Sequence, residues 1–242
     1  MATYVISDIH GQCDMFTALL NKIGLNDEDT LYILGDIIDR GPDPIRTMLK
    51  IMEMPNVICI KGNHEVMAMD CLEYFVRESH DQSVKSMDEG LLDKLLLWQG
   101  NGCSTTMEQL LSISFEEQKS VIDYIQKMPA YQRITVAGKE YLLVHGGLGD
   151  FYPEKQMEEY SLFDLVWERP DYSTPYYHDV YVVTGHTPTQ LIKANPKPGY
   201  IFKGNNHIAI DCGSCWHDGR LAAIRLDDQK EFYTERNESI LC

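Results

Sequence analysis

Basic residues are scarce in this chain. Its 21 lysines and arginines face 37 aspartates and glutamates, a formal charge of −16 over 242 residues. A protein that grips nucleic acid through its phosphates needs a basic face. No stretch here supplies one, so nucleic acid is not an expected partner. Long hydrophobic runs are also missing. None approaches the roughly 18 apolar residues that a membrane span requires, and no membrane partner is expected. The first apolar run stops at Ile6 with no basic region before it, which is not a signal-peptide pattern. The seven cysteines (13, 59, 71, 103, 212, 215 and 242) are odd in number and scattered. They do not form the framework of a small secreted protein, so a reduced, cytoplasmic setting is expected. Linkers, repeats and low-complexity segments are absent as well, so the chain reads as one domain, residues 1–242. With 44% apolar and 24% charged residues, the composition excludes disorder as the main state.

What is present begins with a regular alternation. Tyr4 to Ile6 reads as a short strand, and Phe16, Leu19, Leu20 and Ile23 recur at helical spacing up to Gly24. Leu31 to Leu34 is a second strand. Ile45, Met48, Leu49 and Met52 mark a second helix, and Val57 to Ile60 a third strand. This β-α-β-α-β order implies adjacent parallel strands with right-handed crossovers. Residues 66 to 130 read as helical, with Leu91, Leu92, Leu95 and Leu96 at helical spacing. A capping box, Ser114 with Glu117, precedes Val121, Ile122 and Ile125, and Pro129 ends the region. Beyond it, Gln132–Val136 and Glu140–Val144 read as a hairpin around Ala137-Gly138-Lys139. Val180–Val183, Ile208–Ile210 and Leu221–Leu226 are three further strands.

The chemistry gathers where strands end. The first strand runs into Asp8-Ile9-His10-Gly11, the second into Gly35-Asp36-Ile37-Ile38-Asp39-Arg40-Gly41, and the third into Gly62-Asn63-His64-Glu65. Their spacing is about one βα unit, which places all three at the same edge of a sheet, where open α/β sheets bind ligands. Two later strands end in His145-Gly146-Gly147 and Gly185-His186-Thr187. Two aspartates, three histidines and one asparagine then share a rim. Carboxylate and imidazole together suit Mn, Fe, Zn or a similar ion rather than Ca. Six protein ligands are too many for one catalytic ion with open positions. They suit two ions with a bridging carboxylate, the arrangement that serves displacement at phosphorus. Cys212-Gly213-Ser214-Cys215 has redox spacing, but a redox motif would open a helix. Here the run leads into a turn at Trp216-His217-Asp218-Gly219, and two ordinary thiols are expected.

As a set, these motifs resemble those of the metallophosphoesterases, and more narrowly the phosphoprotein phosphatase branch in its small bacterial and phage form. Asp211-Cys212-Gly213 and Gly219-Arg220-Leu221 extend the likeness almost to the C-terminus. The resemblance implies an α/β fold, a sandwich of two mixed β-sheets flanked by helices. It implies that Asp8, His10 and Asp36 hold a first metal. Asp36, Asn63, His145 and His186 would hold a second, with Asp36 bridging. The two divalent ions would be Mn2+, with Fe, Zn or Ni as alternatives, and a water they share would be the nucleophile because metal binding acidifies water. His64 would be the general acid and Asp39 would hold its imidazole. Arg40 would clamp the phosphate through its planar fork, with Arg169 as a second phosphate-gripping arginine. Many family members carry Arg before Gly-Asn-His, where this chain has Lys61, a point charge rather than a fork. His80, His178, His207 and His217 receive no role.

The expected substrate is a phosphorylated protein or a small phosphoester. The combination of Asp39 with Glu65 resembles serine/threonine protein phosphatases, with dual specificity as a variant. The alternative is a symmetrical dinucleoside-tetraphosphate hydrolase or another nucleotide phosphoesterase. A non-enzymatic, metal-stabilised module is disfavoured by the complete ligand and acid set. Residues 150–180, with eight acidic residues and five tyrosines, are expected to cover the site and to favour substrates with basic or apolar flanks.

Overall fold

The computed structural model describes residues 1–80 and 87–238, without the side chains of residues 79 and 80. Cys242 lies outside the described residues. The first sheet contains β1 (Thr3–Ile6), β2 (Thr30–Ile33), β3 (Val57–Cys59), β9 (Ala222–Arg225) and β10 (Lys230–Tyr233), in the order β10-β9-β1-β2-β3. β1, β2 and β3 are parallel, and β9 and β10 add antiparallel neighbours. The second sheet contains β4 (Tyr131–Val136), β5 (Lys139–Val144), β6 (Val180–Thr184), β7 (Phe202–Gly204) and β8 (His207–Ala209), in the order β4-β5-β6-β8-β7. Both sheets are mixed, as the expected sandwich requires.

Alternation along the strands shows how the layers pack. Tyr4 and Ile6 point to a core shared with the helices, whereas Val5 points to a core between the sheets. Leu31 and Ile33 repeat the first direction, Tyr32 and Leu34 the second. From the opposing sheet, Tyr141, Leu143 and Val183 enter the inter-sheet core. Leu142, Val144, Val180 and Val182 face outward into a third cluster. Both faces of each sheet are therefore apolar, which fits the nearly continuous hydrophobic runs of these strands.

The helices follow their local signals. α1 (Cys13–Ile23) stops at Gly24 with φ 65°, a left-handed cap whose N–H reaches Leu20 O at 3.0 Å. α2 (Pro44–Met52) opens on proline and buries Ile45, Met48 and Ile51. α3 (Asn63–His80), α4 (Glu89–Gln99), α5 (Ser104–Ser112) and α6 (Phe115–Lys127) fill the helical middle. The Ser114–Glu117 capping box is formed in both directions. In α4 only Trp98 is fully buried; Leu91 and Leu95 pack inward, while Leu92 and Leu96 are exposed. The hairpin turn is the two residues Ala137 and Gly138, both at positive φ, as a tight right-twisted hairpin needs. The short strands β7 and β10 carry no sequence signal strong enough to have been anticipated. β7 pairs with β8, and β10 pairs with β9.

Residues 150–180 cover the site only in part, through Trp167 and Arg169. Their one-turn helix (Met157–Glu159) and α7 (Leu162–Val166) back the outer face of the second sheet. Tyr160 and Tyr172 are buried, and Tyr176 and Tyr177 pack against this cluster. The physical reason is the apolar outer face of β5 and β6, which needs a cover more than the polar rim does.

His207 supplies a pH-sensitive point in this layer. It is buried against Tyr172 and Tyr176, and its Nε2–H donates to Thr174 O at 2.8 Å. Nδ1 has no partner among the described residues. Burial holds its pKa below the ordinary value. The folded state therefore keeps His207 neutral while the unfolded chain takes up a proton near pH 6.5. Its contribution is full above about pH 6.5 and is lost as the pH falls below it, by at most ~1.4 kcal/mol per unit. Urea midpoints measured from pH 7 to pH 5 should fall more steeply for the wild type than for His207→Phe.

Candidate metal centre

Five short polar turns from two sheets build the candidate site. Of the ten residues singled out from sequence, seven line one pocket of about 180 Å3: Asp8, His10, Asp36, Arg40, Asn63, Arg169 and His186. Asp39, His64 and His145 lie behind that wall and are fully buried. Asp8, His10, Asp36 and Asn63 come from the ends of β1, β2 and β3. His145 and His186 follow β5 and β6 of the other sheet. The site thus sits where the C-terminal edges of both sheets meet.

The backbone is bent at these points. Asp8, His10, Asp36, Asp39, Arg40 and His186 all have positive φ, between 47° and 70°. This left-handed conformation is disfavoured for residues with a side chain. Two glycines permit the approach of the carboxylates. A Cβ on Gly62 would lie 2.2 Å from Asp36 Oδ1, and one on Gly185 would lie 2.3 Å from Asp8 Oδ2.

Asp36 is the centre of the array. Its carboxylate lies 3.6 Å from His10 Nε2, 3.4 Å from His145 Nε2 and 3.9 Å from His64 Nε2. Asn63 Oδ1 lies 2.9 Å from His145 Nε2 and 3.0 Å from His186 Nδ1. Two trios of potential ligands share Asp36: His10 and His64 on one side, His145 and His186 on the other. Asp8 is drawn to the backbone N–H of His186, at 3.1–3.2 Å, and stands slightly apart from both trios.

These donors fit a pair of divalent ions. Donors about 2.0–2.2 Å from a common ion lie about 3 Å apart at adjacent octahedral positions, close to the separations around Asp36 and Asn63. Two rings are also oriented from behind. His10 Nδ1–H donates to Ile38 O at 3.1 Å, and His145 Nδ1–H to Leu34 O at 2.5 Å. Each therefore turns its Nε2 inward, as metal-ligating histidines do. His186 Nε2 is buried with no partner among the described residues.

The charges respond to one another. Burial would raise the Asp36 pKa, yet His145, His64 and His10 hold it well below the ordinary value. Burial opposes charge on His145, but Asp36 and Asp8 carry its pKa up to about 10. Burial, with help from neighbouring imidazoles, lowers His10 strongly and brings His186 down to about 3. Burial and then Asp211 raise the Asp8 pKa well above its ordinary value.

The pair His64 and Asp39 is held from three directions. His64 Nδ1–H donates to Asp39 Oδ2 at 2.7 Å. The same oxygen accepts from Trp98 Nε1 at 2.7 Å, and Oδ1 accepts from Thr106 Oγ1 at 2.6 Å. On the other face, Arg40 Nη2 donates to His64 Nε2 at 2.9 Å. In that network Nδ1 faces the Asp39 carboxylate and Nε2 faces the Arg40 guanidinium. Arg40 stands between His64 and the pocket. Arg169 donates to His186 O and Thr187 Oγ1, both at 3.3 Å.

Several residues were not found from sequence. Trp98 and Thr106 lie on α4 and α5, tens of residues from Asp39, with no local motif. Asp211 lines the pocket, and burial pushes its pKa up to about 6; the Asp-Cys-Gly triplet was its one signal. Glu65 does not reach the pocket. Its carboxylate accepts the N–H groups of Asp36, Ile37 and Gly62 at 2.8–2.9 Å, with a longer one from Ile38. Lys61 turns away as well: Nζ donates to Gln126 O and Met128 O at the end of α6, at 2.9 and 2.8 Å. A lysine is well suited to a helix C-terminus. Cys212 and Cys215 are buried thiols with no disulfide between them, next to a turn, with no helix opening on them.

The chain is 28% identical over 258 residues to an asymmetrical bis(5'-nucleosyl)-tetraphosphatase, PrpE, of Bacillus subtilis, covering 94% of this chain and 92% of that protein. It is 24% identical to a symmetrical bis(5'-nucleosyl)-tetraphosphatase of Nitrosospira multiformis, covering 97% and 96%. A serine/threonine phosphatase structure from Saccharomyces cerevisiae shares the fold with a TM-score of 0.59 at 16% identity, covering 99% of this chain and 81% of that one. The family model of the calcineurin-like phosphoesterases matches residues 1–226. With its two mixed sheets and its paired carboxylate–imidazole clusters, the chain belongs to the calcineurin-like phosphoesterases, metal-dependent hydrolases of phosphoesters.

Proposed function

We propose that this enzyme hydrolyses dinucleoside tetraphosphates. The observation that carries this reading is the wall beside the candidate metal centre. Trp216 lines the pocket and, with Arg40 and Asn101, also a second cleft of about 380 Å3 that opens from it. Trp167 lines the pocket too and meets the His186 ring edge-on at 6.0 Å. An indole face is a good seat for a nucleobase, worth about 1–3 kcal/mol per stacked base. Relatives named for tetraphosphate hydrolysis that align along nearly the whole chain support the same choice.

In this reading Asp8, His10, Asp36, Asn63, His145 and His186 hold two divalent ions, with Mn2+ the first choice for this mixed oxygen and nitrogen set. Bound there, the ions supply Lewis acidity and lower the pKa of water. The chain's own residues do the rest. Arg40 and Arg169 grip phosphate oxygens. A phosphate that draws Arg40 away uncovers His64 Nε2, while Asp39 holds the ring in place through Nδ1. Once uncovered, Nε2 can take up a proton from water, with Asp39 balancing the imidazolium, and pass it to the leaving oxygen. The match to residues 1–226 supports one domain, and six buried cysteines without a disulfide among the described residues suit a reducing, cytoplasmic compartment.

One feature favours the phosphoprotein reading. The care with which Trp98 and Thr106 hold Asp39, and Asp39 holds His64, suits a poor leaving group such as a serine alkoxide. A leaving nucleotide needs less protonation. With Mn2+ present, a side-by-side assay should give a kcat/KM at least tenfold higher for diadenosine tetraphosphate than for any member of a phosphoserine and phosphothreonine peptide panel. The opposite order assigns the enzyme to phosphoproteins.

Replacing Asp36 by Asn should remove most turnover on every substrate and abolish the rise in melting temperature that Mn2+ gives the wild type. A mutant still stabilised by Mn2+ would contradict the shared-carboxylate role. His64→Asn should lose roughly 100-fold or more on phosphoserine peptide and far less on p-nitrophenyl phosphate, whose leaving group needs little protonation. Equal losses on both would rule out proton donation by His64.

A further inference from the structure

A cleft of about 510 Å3 adjoins the candidate centre. It shares Arg169 and Leu191 with the central pocket and no lining residue with the Trp216 cleft. The phosphate pocket therefore leads past Arg40 into one recess and past Arg169 into another. Resting on the nucleotide reading above, we propose that the Arg169 cleft seats the second nucleoside of a dinucleoside polyphosphate.

The walls have the chemistry such a group needs. Pro170, Leu191, Ile192 and Ala194 offer apolar surface for a flat base. The volume lies within the range of about 300–1,000 Å3 found for small-molecule sites. Cationic side chains mark the path of the phosphates: Arg169 at the shared wall and Lys193 farther along. Asp171 adds a carboxylate that can accept ribose hydroxyls; its Oδ1 is fixed by the Ser173 N–H at 2.9 Å. A polyphosphate alone would avoid that carboxylate, whereas a neutral ribose would not.

The cleft is also preformed. Tyr172 bonds Thr184 at 3.1 Å, and Asn205 Nδ2 donates to the carbonyls of Tyr172 and Ser173, each at 3.0 Å. Ile192 is buried against Tyr172 and Phe202. Its carbonyl accepts the Asn195 N–H at 2.9 Å, which closes the turn carrying Lys193 and Ala194. Leu191, by contrast, is 58% exposed at the shared wall, an apolar side chain left open where the two spaces join.

The test compares Ala194→Trp, which fills the cleft, and Lys193→Glu, which reverses its charge. Both positions are exposed, so either substitution should leave the fold intact, as melting temperature checks. Steady-state kinetics with Mn2+ would use diadenosine tetraphosphate, ATP and p-nitrophenyl phosphate. Each variant should lose tenfold or more in kcat/KM on diadenosine tetraphosphate, less than threefold on ATP and less than twofold on p-nitrophenyl phosphate. Unchanged tetraphosphate kinetics in both variants, with an active wild type, overturn this assignment alone. Equal losses on ATP and on the tetraphosphate overturn it as well, because the cleft then serves a single nucleotide. A wild type that hydrolyses p-nitrophenyl phosphate but leaves the tetraphosphate intact overturns the nucleotide reading and this inference with it.

Discussion

A buried carboxylate at the seam between two sheets is the constraint around which this molecule is arranged. Asp36 is almost wholly enclosed, and an ionised group removed from water is costly unless it is paired. Three imidazoles and a backbone N–H surround it. They come from the ends of β1 and β3 in one sheet and of β5 in the other. Closing the sandwich and neutralising Asp36 are therefore the same event. The Asp36 carboxylate and the His145 imidazole favour each other's charged form, which is why their pKa values move in opposite directions.

Holding Asp36 there requires strained backbone, and the surrounding structure opposes its relaxation. The loop after β2 bends through left-handed residues at 36, 39 and 40. Glu65 ties the start of that loop to Gly62 through four main-chain N–H groups. Arg40 N–H is tied to Gly102 O at 2.9 Å. Strain of this kind persists where many bonds over-determine the conformation, and it is concentrated at functional sites. The helical region between β3 and β4 takes part through Trp98, Thr106 and Gly102, so it is part of the site's support as well as a cover for the first sheet.

The strong acidity of the chain bears less on phosphate binding than its total suggests. Asp8, Asp36 and Asp211 are the carboxylates lining the central pocket. Two divalent ions would bring four positive charges, with Arg40 and Arg169 adding two more. The local sign then opposes the global one. Of residues 150–180, Trp167 and Arg169 reach the pocket, and Asp171 lines the adjoining cleft.

The alternation of strands and helices in the first 65 residues, the hairpin, the capping box and the identity of the polar clusters are all legible along the chain. These are local properties. Periodicity, caps and turn residues act over a few positions, and the motif glycines sit where side chains would strike a carboxylate. Folding in three dimensions settled which clusters face each other, because two separate sheets had to be brought edge to edge. It also decided that Lys61 caps a helix, that Glu65 braces a loop, and that Trp98 and Thr106 hold Asp39. Those contacts span from 3 to 67 residues of chain, and no local pattern encodes most of them. The covering of the second sheet by residues 150–180 belongs to the same class. Burial of its apolar outer face is settled by what remains uncovered after the strands have paired.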